Sequence, residues 1–127
     1  MGAGLAKQIK EKYPKVYTDY KWLCESASPG ELLGDVQVVR YGDKKYVANI
    51  FGQLGYGRDR VHTDYQALEN ALQLLFKFIG EDDKLKDLGV GFPKGMGSGL
   101  AGGDWNKVMG IISKTAGDFT VYIYIYI

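Results

Sequence analysis

Cysteine is nearly missing from this chain of 127 residues: Cys24 stands alone, so no internal disulfide framework is available and a reducing compartment fits. Histidine is equally scarce. With His62 as the one imidazole beside one thiol there is no set of zinc ligands, and neither a metal nor another cofactor is expected. Charge of one sign is also lacking, because 16 basic side chains against 15 acidic ones leave a formal charge of +1 and no basic field that would advertise nucleic acid. Long apolar runs are absent as well. The longest, Val121 to Ile127, falls far short of the roughly 20 residues that span a bilayer, so no membrane partner is expected. The opening Met1-Gly2-Ala3-Gly4-Leu5-Ala6 is not a charged region leading into an apolar core, and Ala6 sits where a myristoylation signal wants Ser or Thr. A cytoplasmic protein is expected, one domain over residues 1–127 and long enough to bury a core.

Glycine is what the chain has in quantity, and it is concentrated. In Phe92-Pro93-Lys94-Gly95-Met96-Gly97-Ser98-Gly99-Leu100-Ala101-Gly102-Gly103-Asp104-Trp105, five glycines fall within nine residues. The stretch joins a strand pattern, Leu88 to Phe92, to a helix pattern, Asn106 to Thr115. Glycine permits positive φ and puts no Cβ between a ligand and the backbone amides. A run of bare N–H groups leading into a helix N-terminus suits an anion, phosphate above all, because orphan donors and the positive end of the helix dipole both face it. A flexible linker is the plain alternative, but linkers seldom join a buried strand to a capped helix. Asp104 suits the N-cap of that helix. Its carboxylate could also orient a water or a ribose hydroxyl.

The rest of the chain supplies the scaffold. Helices are expected over Ala3 to Tyr13, stopped by Pro14, and over Lys15 to Cys24, with Cys24 packed as a small hydrophobe and a turn over Ser26 to Gly30. The period then changes. Val36 to Tyr41 and Lys45 to Phe51 read as a β-hairpin turning at Gly42-Asp43. A glycine-broken loop, Gly52 to His62, follows; in it Arg58 and Arg60 either pair with Asp59 or clamp a phosphate, and His62 is either a solvated side chain or a base. Thr63 with Gln66 makes a capping-box pattern ahead of Leu68, Ala71, Leu72, Leu75, Phe76 and Ile79, one apolar stripe ended by Gly80. Val108, Ile111 and Ile112 should face inward from the last helix, and the strict alternation from Phe119 to Ile127 predicts a strand. Two glycine-rich helix starts, at Gly2 to Ala6 and at Gly97 to Gly103, suggest two walls around a diphosphate. Neither matches the G-x-x-x-x-G-K-[ST] loop or a dinucleotide-binding βαβ unit.

Three blocks together resemble the macro domain family, in its small branch of ADP-ribose binders, O-acetyl-ADP-ribose deacetylases and terminal ADP-ribose glycohydrolases. They are Met1 to Ile9, the Tyr46 to Leu68 region with Phe51-Gly52-Gln53 and Thr63-Asp64-Tyr65, and Gly97 to Trp105. The resemblance implies an α/β fold, a three-layer α/β/α sandwich with a mixed sheet and a cleft for ADP-ribose or a derivative, free or carried on a macromolecule. It implies that Gly2, Ala3, Gly4 and Leu5 line the distal ribose and that Gln53 stands nearby. Gly97, Ser98, Gly99, Leu100, Ala101, Gly102 and Gly103 would hold the diphosphate, and Tyr122 would lie near adenine. Asp104 or His62 would activate water if an ester, glycosidic or phosphate bond at the distal ribose is hydrolysed; a non-catalytic sponge or sensor for an ADP-ribose-like nucleotide is the alternative.

Two departures stand out. Family members begin with about two more strands, carrying an acid that reads adenine and an Asn beside the distal ribose, so an N-terminally truncated domain is expected, with low stability, strand exchange between copies, or a longer natural product. The glycohydrolase-type members also pair a Lys with an Asp, where this sequence has the Gln53 neighbourhood and Ala101. Asp104 lies three residues further on, and lysine-based covalent chemistry is not expected.

Overall fold

A computed structural model describes residues 4–52, 64–93, 95 and 104–124. The element order is α1 (Gly4–Lys12), α2 (Pro14–Ser26), α3 (Pro29–Leu32), β1 (Val36–Gly42), β2 (Lys45–Ile50), α4 (Tyr65–Glu81), β3 (Val90–Pro93), α5 (Trp105–Ala116) and β4 (Val121–Tyr124). This is the α/β class that the sequence predicts. The strands pair as β1 with β2 and as β3 with β4. The chain divides into two compact units, Met1–Leu32 with Gln37–Asn49, and Leu33–Val36 with Ile50–Ile127.

In the first unit Pro14 both stops α1 and opens α2, where its missing N–H costs nothing. Val16 is fully buried. The hairpin turns at Asp43-Lys44, one residue later than expected, with Lys44 at φ 55°. A two-residue connection makes the pair antiparallel. Side chains tie the hairpin to α2: Lys15 Nζ donates to the Arg40 carbonyl at 2.9 Å, and Gln37 Nε2 to the Asp19 carbonyl at 2.9 Å. The Tyr13 and Tyr41 rings meet at 4.4 Å. Two expectations fail here. Cys24 is exposed, because α2 turns Val16 rather than the thiol inward. The turn over Ser26 to Gly30 gives way to α3, whose start is capped by Ser28 accepting the Glu31 amide while its hydroxyl donates to the Glu31 carboxylate at 3.0 Å.

The second unit is built on α4. Leu68, Ala71, Leu72, Leu75, Phe76 and Ile79 are all buried, as their spacing predicts, and Ala67 joins them. Phe76 carries the stripe into the rest of the unit, with its ring 6.5 Å from that of Phe92 on β3 and stacked 5.6 Å from that of Phe119 after α5. Gly80 does not end the helix. A Cβ there would approach Phe119 Cζ to 3.2 Å, so glycine serves the packing, and α4 continues to Glu81 with Asp82 as its C-cap. From α5, Val108 and Ile112 are buried and Ile111 is half-buried. β3 and β4 run parallel, with Val90 opposite Val121 and Phe92 opposite Ile123. A parallel pair joined through a helix requires that helix to run back against both strands. The amino end of α5 therefore lies at the carboxyl ends of β3 and β4.

Candidate ligand-binding site

Both long helices of the second unit begin at an aspartate. Asp64 caps α4 by accepting the Ala67 amide at 3.0 Å; its own amide donates to the Gly52 carbonyl at 2.7 Å and its carbonyl accepts from Leu68 at 2.9 Å. The cap predicted at Thr63 thus falls one residue later, on a residue type that caps at least as well, and Thr63 itself lies outside the described residues. Asp104 caps α5 as expected. Its carboxylate accepts the Asn106 amide at 2.9 Å and its carbonyl the Val108 amide at 3.1 Å.

The two starts are joined. Asp104 N–H donates to the Tyr65 hydroxyl at 2.8 Å, and Tyr65 is the first residue of α4. The Lys107 ammonium stands 5.2 Å above the same ring, a cation–π contact on the first turn of α5. At their other ends α4 and α5 meet through Phe76 and Gly80 against Phe119, so the helices run side by side in the same direction. Among the described residues, two helix amino ends, each with its capping carboxylate, and the Lys107 ammonium therefore converge at the carboxyl ends of β3 and β4. In α/β folds that end of the strands is where ligands bind, and the amino ends of helices favour an anion.

Of the residues picked out from sequence, Asp104 stands at this convergence. Gly4 and Leu5 open α1, in the first unit. Tyr122 stands opposite Gly91 on β4, half exposed at 52%, and its ring lies back over Gly89, where a Cβ would come within 2.9 Å of Tyr122 Cδ2. The tyrosine thus leans toward the amino end of β3, away from Asp104. Gly2, Ala3, Gln53, Arg58, Asp59, Arg60, His62 and the run Gly97, Ser98, Gly99, Leu100, Ala101, Gly102, Gly103 lie outside the described residues. Tyr65 belongs to the Thr63-Asp64-Tyr65 motif, and the resemblance implies no role for it. Sequence spacing holds no signal for it, since its partner is 39 positions away.

A depression in the second unit is lined by Lys86, Asp87, Leu88, Gly117, Asp118 and Thr120. It lies at the opposite end, where the negative end of the α5 dipole disfavours an anion. Among the described residues no group of three or more His, Cys, Asp and Glu side chains could hold a metal, and no helix is long and apolar enough to cross a membrane.

No family model matches the sequence, and no curated protein matches it. Solved structures do. A protein of unknown function from Bacteroides thetaiotaomicron superposes with a TM-score of 0.78 and 26% identity, over 98% of this chain and 78% of that one. The macrodomain of Thermus aquaticus DarG gives 0.72 at 24% identity, over 100% of this chain and 81% of that one. For the macrodomain of Mycobacterium tuberculosis DarG the values are 0.68 and 25%, over 98% and 80%. The fold is that of a macrodomain. Within this fold the described residues place the helix starts at Asp64 and Asp104 side by side.

Proposed function

We propose that this macrodomain binds ADP-ribose or a close derivative, with the diphosphate at the amino end of α5 and against the glycine-rich run from Gly97 to Gly103. One observation carries the reading: the capped starts of α4 and α5 converge at the carboxyl ends of a parallel strand pair, with Lys107 beside them. The macrodomain fold supports ADP-ribose in particular, since it is the ligand that the family resemblance implies. Such a site would also take ADP-ribose carried on a macromolecule.

Within this reading Asp104 or His62 activates water at the distal ribose, and the glycine amides stabilise the developing charge. The capping bond of Asp104 to the Asn106 amide favours a second reading, in which the aspartate is structural and the domain is a sponge or sensor.

Calorimetric titration with ADP-ribose tests the binding. Gly99→Val, whose branched side chain would fill the anion site, should abolish it, and a wild-type chain that ignores ADP-ribose would overturn the proposal. Asp104→Asn divides the two readings, because asparagine caps a helix as well as aspartate but cannot take a proton. Loss of O-acetyl-ADP-ribose turnover with binding retained assigns hydrolysis. A wild-type chain that binds without turnover assigns the sponge.

A further inference from the structure

We infer that Tyr65 is a positioning residue of this site: by accepting the Asp104 amide it holds the start of α5 in the geometry that grips an anion. The inference rests on the ADP-ribose reading above and adds a residue to it. Three facts bear on it. First, Asp104 is the last residue between the glycine-rich run and α5, so its backbone orientation sets the direction in which the first amides of the helix point. Its carboxylate and carbonyl are held within α5 itself. The amide reaches outside the helix, to the Tyr65 hydroxyl at 2.8 Å.

Second, Tyr65 is itself well anchored. The preceding residue, Asp64, is fixed through its amide, carboxylate and carbonyl to Gly52, Ala67 and Leu68. A Cβ on Gly52 would stand 3.3 Å from the Leu68 side chain, so the backbone at Gly52 is pressed against α4. The phenol is therefore a strut from the buried helix α4 to the exposed start of α5. Third, the Lys107 ammonium rests on the ring, so the same side chain orients a cation beside the start of α5. An aromatic at the first position of a helix has no capping value of its own. The position is explained by the contact to Asp104 and Lys107.

The test compares the wild-type chain, Tyr65→Phe, and the chain carrying O-methyltyrosine at position 65. Phenylalanine keeps the ring and the Lys107 contact but removes the acceptor; O-methyltyrosine keeps the acceptor oxygen and replaces the hydroxyl proton with a methyl group. Amide hydrogen exchange at Asp104, without ligand, reads the strut directly. It should be faster in Tyr65→Phe and return toward the wild-type rate with O-methyltyrosine. Calorimetry with ADP-ribose reads the consequence: about a tenfold loss of affinity in Tyr65→Phe, the size expected for one misaligned amide, and recovery with O-methyltyrosine. Unchanged exchange, or unchanged affinity, in Tyr65→Phe overturns the inference. A thermal midpoint lowered equally in both variants, with affinity untouched, assigns Tyr65 a purely structural role and overturns it as well. Failure of the wild-type chain to bind ADP-ribose would instead overturn the proposed function, and the exchange rates would still decide whether the strut exists.

Discussion

At Asp104 the amide, the carboxylate and the carbonyl of one residue are all engaged, with Tyr65, Asn106 and Val108. Removing the carboxylate leaves the Asn106 amide without its cap, so Asp104→Ala should cost about 1 kcal/mol in urea denaturation, whereas Asp104→Asn should stay within about 0.5 kcal/mol of the wild type. Equal losses in the two variants would mean that charge rather than capping dominates there. The cap was legible in the sequence because aspartate ahead of an apolar helical pattern has one strong local use. Tyr65 was not, since its value arises from a hydrogen bond across 39 positions. Gly89 is a similar case. Nothing beside it in the sequence shows that a cross-strand tyrosine ring occupies the space where its Cβ would be.

At the scale of the element, α4 is the part of the fold most fully readable in advance. Its stripe repeats at the helical period, and every residue of the stripe is buried. Leu72 is fully enclosed, so Leu72→Ala should lose about 2–5 kcal/mol by chemical denaturation. Leu74, one position removed from the buried stripe and 46% exposed, is the control: its alanine variant should change stability by less than about 0.5 kcal/mol. Comparable losses at both would place the face of α4 wrongly. The short helix α3 escaped the sequence reading because Pro29-Gly30 is a strong turn signal, and a four-residue helix has too few positions to show a period. Its capping box, Ser28 with Glu31, was the signal available.

For the molecule as a whole, two tyrosines make stability depend on pH on the alkaline side. Burial is the leading cause that raises the phenol pKa of Tyr20, helped by Cys24 and Tyr17, and of Tyr41, helped by Tyr13. An ordinary tyrosine releases its proton near pH 10, so above about that pH the unfolded chain has lost protons that the folded chain still holds. Fewer protons bound in the unfolded state means that stability falls as pH rises. The contribution is complete below about pH 10 and is lost through the folded pKa values. Denaturation midpoints taken from pH 8 to 11 should fall at the upper end, and Tyr41→Phe should flatten the fall; an identical slope in the variant would refute this account of Tyr41. By itself, the order of residues determined the α/β class, the buried face of α4 and the cap at Asp104, because each is a matter of periods and neighbours a few positions apart. Only the tertiary structure decided that α4 and α5 start side by side, that Tyr65 joins them, and that Tyr122 leans over Gly89. Those facts depend on contacts between distant residues, and such contacts follow from how the elements pack rather than from any local preference of the chain.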